Sequence, residues 1–298
     1  MLDVEKLQND PANSLAALER DVQGDPDNLE KLDSLAEVYF ELGEAEQAFP
    51  LLEKSVALDP EGKQGAQKFF WLGQILGGRS GIEFFQRGLA ADPRNVAQVN
   101  EALLGMIEIW MTDLCMEAEA ETQCMQLIDT AFKNTDRNAE AWSVLGSIRI
   151  SQQKQDEARD ALLRSWELFL EDFEQSRVDH NVLPKLLRLA QNMLEVHIAD
   201  PVLEITDQLY RMDDQIAEVY YLNALAHQYL YEHSSTALDR SKHIVAIKDA
   251  AELVTTLDEP ADPEIVGAIE ALAASLPAPE IEEPFKEEDE AEAKAADI

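Results

Sequence analysis

The sequence is poor in cysteine and in basic residues, and each shortage excludes a class of protein. Its only cysteines are Cys115 and Cys124, which are too few for a disulfide framework and lack the second pair that a zinc site needs. Lysine and arginine total 24 against 60 acidic residues, so the formal net charge is −36 at pH 7. A chain this anionic repels nucleic-acid phosphates and anionic membrane surfaces, which argues against both as direct ligands and favours a cationic partner.

Long apolar stretches are also missing. No run approaches the ~20 residues that cross a bilayer, and residues 1–10 carry Asp3 and Glu5 where a secretory signal has an apolar segment. We therefore expect a soluble intracellular protein whose thiols stay reduced and packed in helices. Hydrophobic residues still make up 46% of the chain, which is enough for an extensive core.

The order of apolar residues predicts helix pairs of the tetratricopeptide type, a unit of about 34 residues. Residues 29–60 show it well, because Gly43 ends a first helix and Pro60 closes the unit. The apolar stripe of the first helix is formed by Leu32, Leu35, Ala36 and Tyr39, and that of the second by Ala48, Leu52 and Ser55. Small residues such as Ala36 and Ala48 let two helix axes approach closely.

Copies of this pattern follow along the chain, and the triplet Trp142, Leu145 and Gly146 is the most diagnostic of them. The copies lie at residues 69–93 with a shortened middle loop, 104–131 with an insertion between its helices, 142–165, and 186–212. Residues 217–231 have the apolar content of a further copy without a clear register. We predict an all-α fold, a right-handed superhelical solenoid of tetratricopeptide-like helix pairs with a C-terminal helical cap.

The two ends of the chain differ from the repeats. Residues 1–27 are predicted to form an N-terminal capping helix, residues 28–233 the repeats, and residues 234–276 C-terminal capping helices. Within the last segment, Asp262 is the expected N-cap and Pro263 the first helical position. Residues 277–298 hold nine acidic and two basic residues and little that could pack, so we predict a disordered acidic tail.

No catalytic or metal-binding pattern is present, so we predict that the protein is not an enzyme and needs no cofactor. The histidines show no metal-ligand spacing; they are His180, His197, His227, His233 and His243. The glycine-rich segment 77–81 lacks the strand and the Lys-Ser/Thr of a phosphate-binding loop, so it is interpreted as the turn between two helices. We also expect Cys115 to be a buried thiol, since no cationic neighbour lowers its pKa.

The face formed by the first helices of successive repeats is where a solenoid binds its partner. In the first repeat the expected partner-binding residues are Glu30, Asp33, Glu37, Phe40 and Glu41; in the next two repeats they are Phe70, Gln74, Met106 and Trp110. Four carboxylates and an aromatic ring at helical spacing suit a basic segment, because each carboxylate can accept a bidentate bond from arginine. The alternative interpretation is an ordinary solvated face.

The spacing of Trp142, Leu145, Gly146 and Ala158, with its copies, resembles the tetratricopeptide-repeat superfamily over roughly residues 10–232. One branch of it binds acidic C-termini through Lys, Asn and Arg, but Asp33 and Glu37 stand at the offsets where that branch has Lys and Asn. The overall plan, an acidic repeat array with a helical cap and an acidic tail, instead resembles the dedicated assembly chaperones of large-subunit ribosomal protein four.

This second resemblance implies a non-catalytic chaperone in ribosome biogenesis. It implies capture of a loop or extension of a highly basic, newly made ribosomal protein, protection from aggregation in the cytoplasm, and escort through the nucleus to pre-ribosomes. A monomer with one client is expected. Two alternatives stay open: a scaffold or adaptor subunit of a multiprotein complex, and a chaperone of another basic protein such as a histone.

Overall fold

The computed structural model describes residues 11–177, 181–258 and 261–279. In these ranges the chain forms fourteen α-helices and no strand, so the prediction of an all-α protein built from tetratricopeptide-like helix pairs is confirmed. Their bounds are α1 Pro11–Gly24, α2 Leu29–Glu41, α3 Ala45–Leu58, α4 Gln67–Leu76, α5 Gly78–Ala91, α6 Val96–Met111, α7 Ala120–Asn134, α8 Ala139–Ser151, α9 Gln155–Glu174, α10 Val182–Glu195, α11 Asp200–Met212, α12 Ala217–His233, α13 Ala237–Leu253 and α14 Pro263–Ser275, with a 3₁₀ turn at Val254–Thr256.

The contacts divide the chain into two compact units, residues 1–144 and 145–298. This division differs from the predicted boundaries at residues 27, 233 and 276, which stay predictions. The predicted acidic tail lies outside the described residues from residue 280 onward, as do residues 1–10 of the predicted N-terminal helix.

The first helix pair of unit 1 forms for the local reasons that the sequence indicates. The side chain of Asn28 caps α2 by accepting a hydrogen bond from the amide of Lys31, at 3.2 Å. Gly43 ends the helix in a left-handed conformation, with φ of 75°, which other residues rarely adopt. The core of this unit is built around Ala36, Ala48, Leu52, Val56, Phe69 and Leu72.

Residues 112–119 are the insertion predicted between the two helices of the third repeat. They separate α6 from α7 and expose Met116 at 94% of its surface. Cys115 lies in this insertion and is exposed, so the expectation of a buried, helical Cys115 is wrong. Cys124 on α7 is buried, and that burial raises the pKa of its thiol to about 11.

In unit 2, Gly146 on α8 provides the close approach that a repeat needs. A Cβ atom at this position would lie 2.4 Å from Cδ2 of Leu162 on α9, which is far inside van der Waals contact. The last three α-helices pack together through Tyr220, Ala224, Ile247, Ala250, Val254 and Ile269. Asp262 caps α14 as predicted, with Oδ1 accepting from the amide of Glu264 at 2.8 Å.

Trp142, the first residue of the diagnostic triplet, lies at the edge of its helix pair. Its side chain is only partly buried. The ring lies against Phe132, with centroids 4.7 Å apart, and its indole N–H donates to the carbonyl of Asp136 at 2.8 Å.

Candidate functional site

The exposed side of α2 carries a row of carboxylates. Glu37 and Glu41 lie four residues apart and therefore one above the other, and Glu30 lies two turns earlier. The pKa of Glu37 is raised, first by partial burial and then by repulsion from Glu41 and Asp33. Burial and the neighbouring carboxylates both disfavour the charged form of Glu37, so a cation beside it would stabilise that form.

Within the described residues, no lysine or arginine forms an ion pair with Glu30, Glu37 or Glu41. The described lysines near this end of the chain are paired with other acids: Lys31 with Asp25, Lys54 with Asp27, Lys63 with Glu61 and Lys68 with Asp59. Glu30 and Glu41 are exposed and Glu37 is half-buried, so a cation from outside can reach these three carboxylates.

Asp33 does not belong to this open row. One of its oxygens accepts a hydrogen bond from the hydroxyl of Ser55, which is fully buried, and the other lies 4.0 Å from Nζ of Lys68. The Lys68 side chain is completely buried, and its ammonium donates to Asp59 at 2.8 Å. Asp33 thus connects α2 to a buried ionic network and is not free in the way that Glu37 is; its part in binding a partner stays a prediction.

Asp59 completes this network just after α3. Its carboxylate accepts from the amides of Lys63 and Gln64, both at 2.9 Å, in addition to Lys68. Although burial opposes it, these bonds and the charge of Lys68 hold the pKa of Asp59 at about 2. The network joins α2, α3 and α4, and its role is structural.

Phe40 and Trp71 form a partly exposed aromatic surface beside the acidic row. Their rings lie 5.9 Å apart at 34°, and they come from the first helices of two successive repeats, α2 and α4. Phe40 is three residues after Glu37 and so shares its side of the helix. Gln74 is exposed one turn beyond Trp71, as its predicted role requires. Trp71 is not among the partner-binding residues predicted from the sequence, so the sequence analysis missed half of this surface.

Three other predicted binding residues are not accessible. Phe70, Met106 and Trp110 are each 5% exposed. Phe70 stacks on Phe85 with centroids 5.9 Å apart, and its ring fills the space where a Cβ of Gly88 would stand. The expectation that these side chains are exposed to a partner is wrong. Phe70 lies one position before the partly exposed Trp71, and α6 is buried at almost every position from Ala102 to Trp110.

Trp110 is covered by the chain itself. The guanidinium of Arg79 lies 5.8 Å above its ring and pairs with Glu117 at 3.2 Å and Glu119 at 2.9 Å, both from the insertion. Asp113 of the same insertion accepts from the amide of Gly78 at 2.7 Å. The glycine-rich turn therefore binds a carboxylate of its own chain.

The histidines are less scattered than the sequence indicates. Nδ1 of His227 on α12 and Nδ1 of His243 on α13 lie 3.0 Å apart, and burial lowers the pKa of His227 to about 4. His197 and His233 both stack on Tyr229. His180 falls outside the described residues.

The part of the chain that the structure describes contains no group of three or more His, Cys, Asp or Glu side chains that could hold a metal ion. No helix in that part is both long and apolar enough to span a bilayer.

Comparison with known proteins agrees with the fold. Residues 32–61 match the tetratricopeptide repeat family, so the chain is an all-α protein containing a repeat of this type. This segment begins at Leu32 on α2 and extends through α3, and it includes Glu37, Phe40 and Glu41.

The resemblance to assembly chaperones of ribosomal protein four is confirmed. The chain is 34% identical over 238 residues to a probable assembly chaperone of rpl4 from Emericella nidulans, covering 76% of this chain and 62% of that protein. It is 30% identical over 201 residues to the Schizosaccharomyces pombe protein of the same description, covering 63% and 60%. The solved structure of Acl4, the assembly chaperone of RpL4, superposes with a TM-score of 0.62 at 25% identity, over 77% of this chain and 94% of that one. The chain spans about three fifths of the length of the two curated relatives.

Proposed function

We propose that this chain is a non-catalytic, dedicated chaperone of large-subunit ribosomal protein four, and that it receives a basic segment of that protein on the acidic side of α2. The observation that carries the proposal is the row of Glu30, Glu37 and Glu41, which forms no ion pair with the described residues while the nearby lysines are engaged elsewhere. The relatives described as assembly chaperones of rpl4 support the choice of client.

The mechanism follows from charge. A newly made ribosomal protein carries Lys- and Arg-rich segments that bind stray polyanions, and a folded polyanion competes for the same cations. With a net charge of −36, the chaperone excludes nucleic acid from its own surface while it covers these segments. We propose that this prevents aggregation in the cytoplasm, and that the complex, with one client per chain, is carried through the nucleus to pre-ribosomes.

The test measures binding of purified ribosomal protein four by calorimetry, with a histone as a second basic protein. The double variant Glu37→Lys/Glu41→Lys reverses the exposed row. A matched control, Glu53→Lys/Glu83→Lys, makes the same change in net charge at exposed positions on α3 and α5, the second helices.

We expect the row variant to lose affinity at least tenfold and the control to lose much less. Affinity should also fall with added salt, because the Debye screening length shortens from about 10 Å at 0.1 M to about 3 Å at 1 M. Equal losses in the two variants would contradict binding at α2. Equal affinity for the histone would favour a general chaperone of basic proteins, and recovery of the chain in a large complex without ribosomal protein four would favour a scaffold.

A further inference from the structure

The acidic row and the exposed aromatic surface meet at one place on unit 1. We call this place the aromatic–acidic patch and define it by Phe40, Trp71, Glu37 and Glu41. Glu37, Phe40 and Glu41 follow one another within a turn of α2, and Trp71 brings a second ring to Phe40 from α4. Both rings are partly exposed, so a ligand can lie on them without unfolding the repeat.

The same chain shows twice how a guanidinium packs on aromatic rings, in one case with carboxylates beside it. Arg79 lies 5.8 Å over the ring of Trp110 and is held by Glu117 and Glu119. In the second case, Arg87 lies 4.8 Å from the ring centre of Phe69 and 4.9 Å from that of Phe84. Both aromatic positions are filled by arginines of the chain itself.

The aromatic–acidic patch has the same components without a cation from the described residues. Two carboxylates and two rings are available, and no lysine or arginine in the described ranges pairs with Glu37 or Glu41 or stacks on Phe40 or Trp71. The pKa of Glu37 is raised by partial burial first and by the charges of Glu41 and Asp33 second, so both causes disfavour its charged form in the free chain.

We propose that the aromatic–acidic patch is an arginine-selective subsite, which selects arginine over lysine in the basic segment of the partner. This inference rests on the proposed function and adds the side chain that is recognised. A guanidinium is planar, stacks on aromatic faces and binds carboxylates with two parallel N–H bonds, whereas an ammonium is a compact and strongly hydrated point charge. Carboxylates alone attract both; the rings distinguish them.

The experiment uses the full chain and two synthetic peptides of equal length and charge, one of alternating Arg and Gly and the other of alternating Lys and Gly. Affinities are measured by calorimetry beside that of ribosomal protein four. We expect the arginine peptide to bind about 2–5-fold more tightly, the range that cation–π contacts supply at exposed sites.

Two variants assign the selectivity to the patch. In Trp71→Leu and, separately, in Phe40→Leu, the ratio of the arginine peptide's affinity to the lysine peptide's affinity should fall close to one. The affinity for the lysine peptide should stay unchanged. Trp142→Leu is the matched control, since Trp142 is also partly buried but lies outside the patch, and it should keep the preference. Circular dichroism confirms that each variant is folded, and having two patch variants keeps the test valid if one of them is not.

The outcomes separate the subsite from the proposed function. Equal affinity of the wild type for the two peptides, together with binding of ribosomal protein four, overturns the subsite and leaves the function standing. A preference for arginine that persists in both patch variants also overturns it. Failure of ribosomal protein four and of both peptides to bind overturns the function and the subsite together.

Discussion

Asp33 and Glu37 lie one turn apart on α2, yet the structure predicts opposite consequences when each is replaced by lysine. Asp33 accepts the hydrogen bond of buried Ser55 and lies 4.0 Å from the ammonium of Lys68, whose side chain has no exposed surface. Glu37 has no such partner and is instead repelled by its acidic neighbours.

The magnitudes follow from these contacts. Asp33→Lys removes the acceptor of a buried hydroxyl, which costs about 1–3 kcal/mol, and brings a second positive charge toward Lys68. Lys68 keeps its close partner Asp59 at 2.8 Å, and the long new side chain can turn toward solvent. We therefore expect a total loss of about 2–3 kcal/mol, near the upper end of the cost of the lost acceptor. Glu37→Lys should change the free energy of unfolding by less than ~0.5 kcal/mol, because it relieves repulsion and breaks no bond.

Urea unfolding at neutral pH, followed by circular dichroism, measures both effects. Asp33→Asn is the intermediate control; it keeps an acceptor for Ser55 but removes the charge, and should fall between the two. Equal stability of the Asp33→Lys and Glu37→Lys variants would refute the assignment of Asp33 to the buried network. In that case charge reversal at both positions would be a valid test of binding. The structure indicates instead that, of the two, only the charge of Glu37 can be reversed without destabilising the fold.

Three further changes test other parts of the structure. Gly146→Ala should destabilise unit 2 by about 1–3 kcal/mol, because the added methyl group overlaps Leu162; a thermal melt that does not shift would contradict this packing. Trp142→Phe should cost only about 1–2 kcal/mol, the loss of one hydrogen bond and some partly exposed surface, and a loss above ~3 kcal/mol in urea unfolding would mean that the ring is buried. His227 has a folded pKa of about 4, below its ordinary value of 6.5. Its contribution to stability is therefore complete above pH 6.5 and is lost as the pH falls toward 4. Replacing His227 with Phe and His243 with Leu in one variant should make the melting temperature depend less on pH across this interval.

The sequence was sufficient to predict the helix pairs, because each repeat encodes its own apolar stripe, turn glycine and cap. Gly43, Gly146 and Asp262 play the structural roles that their positions indicate. The insertion in the third repeat was predicted as well, since it displaces α7 along the chain. These features depend on neighbours within one helix pair, which is the distance over which periodicity carries information.

The candidate site could be predicted only in part, because its details depend on contacts between repeats. Asp33 looked like Glu37 from the sequence, and only the fold shows that Lys68 from the next repeat approaches it. Phe70 and Trp71 are adjacent in sequence, and a rotation of one helical position decided that Phe70 is buried and that Trp71 meets Phe40. Such a rotation lies within the error of assigning a register from apolar spacing.

The insertion of residues 112–119 has a consequence for the order in which the chain can assemble during synthesis. The amide of Gly78 and the guanidinium of Arg79 find their partners Asp113 and Glu119 only 35 and 40 residues later in the chain. When the second repeat leaves the ribosome, Gly78 and Arg79 in its turn therefore still lack these partners. The contacts form only after the insertion in the third repeat has also been synthesised. Because domains fold vectorially from the N-terminus during synthesis, α4 and α5 are expected to reach full protection against hydrogen exchange only in nascent chains that already include the insertion.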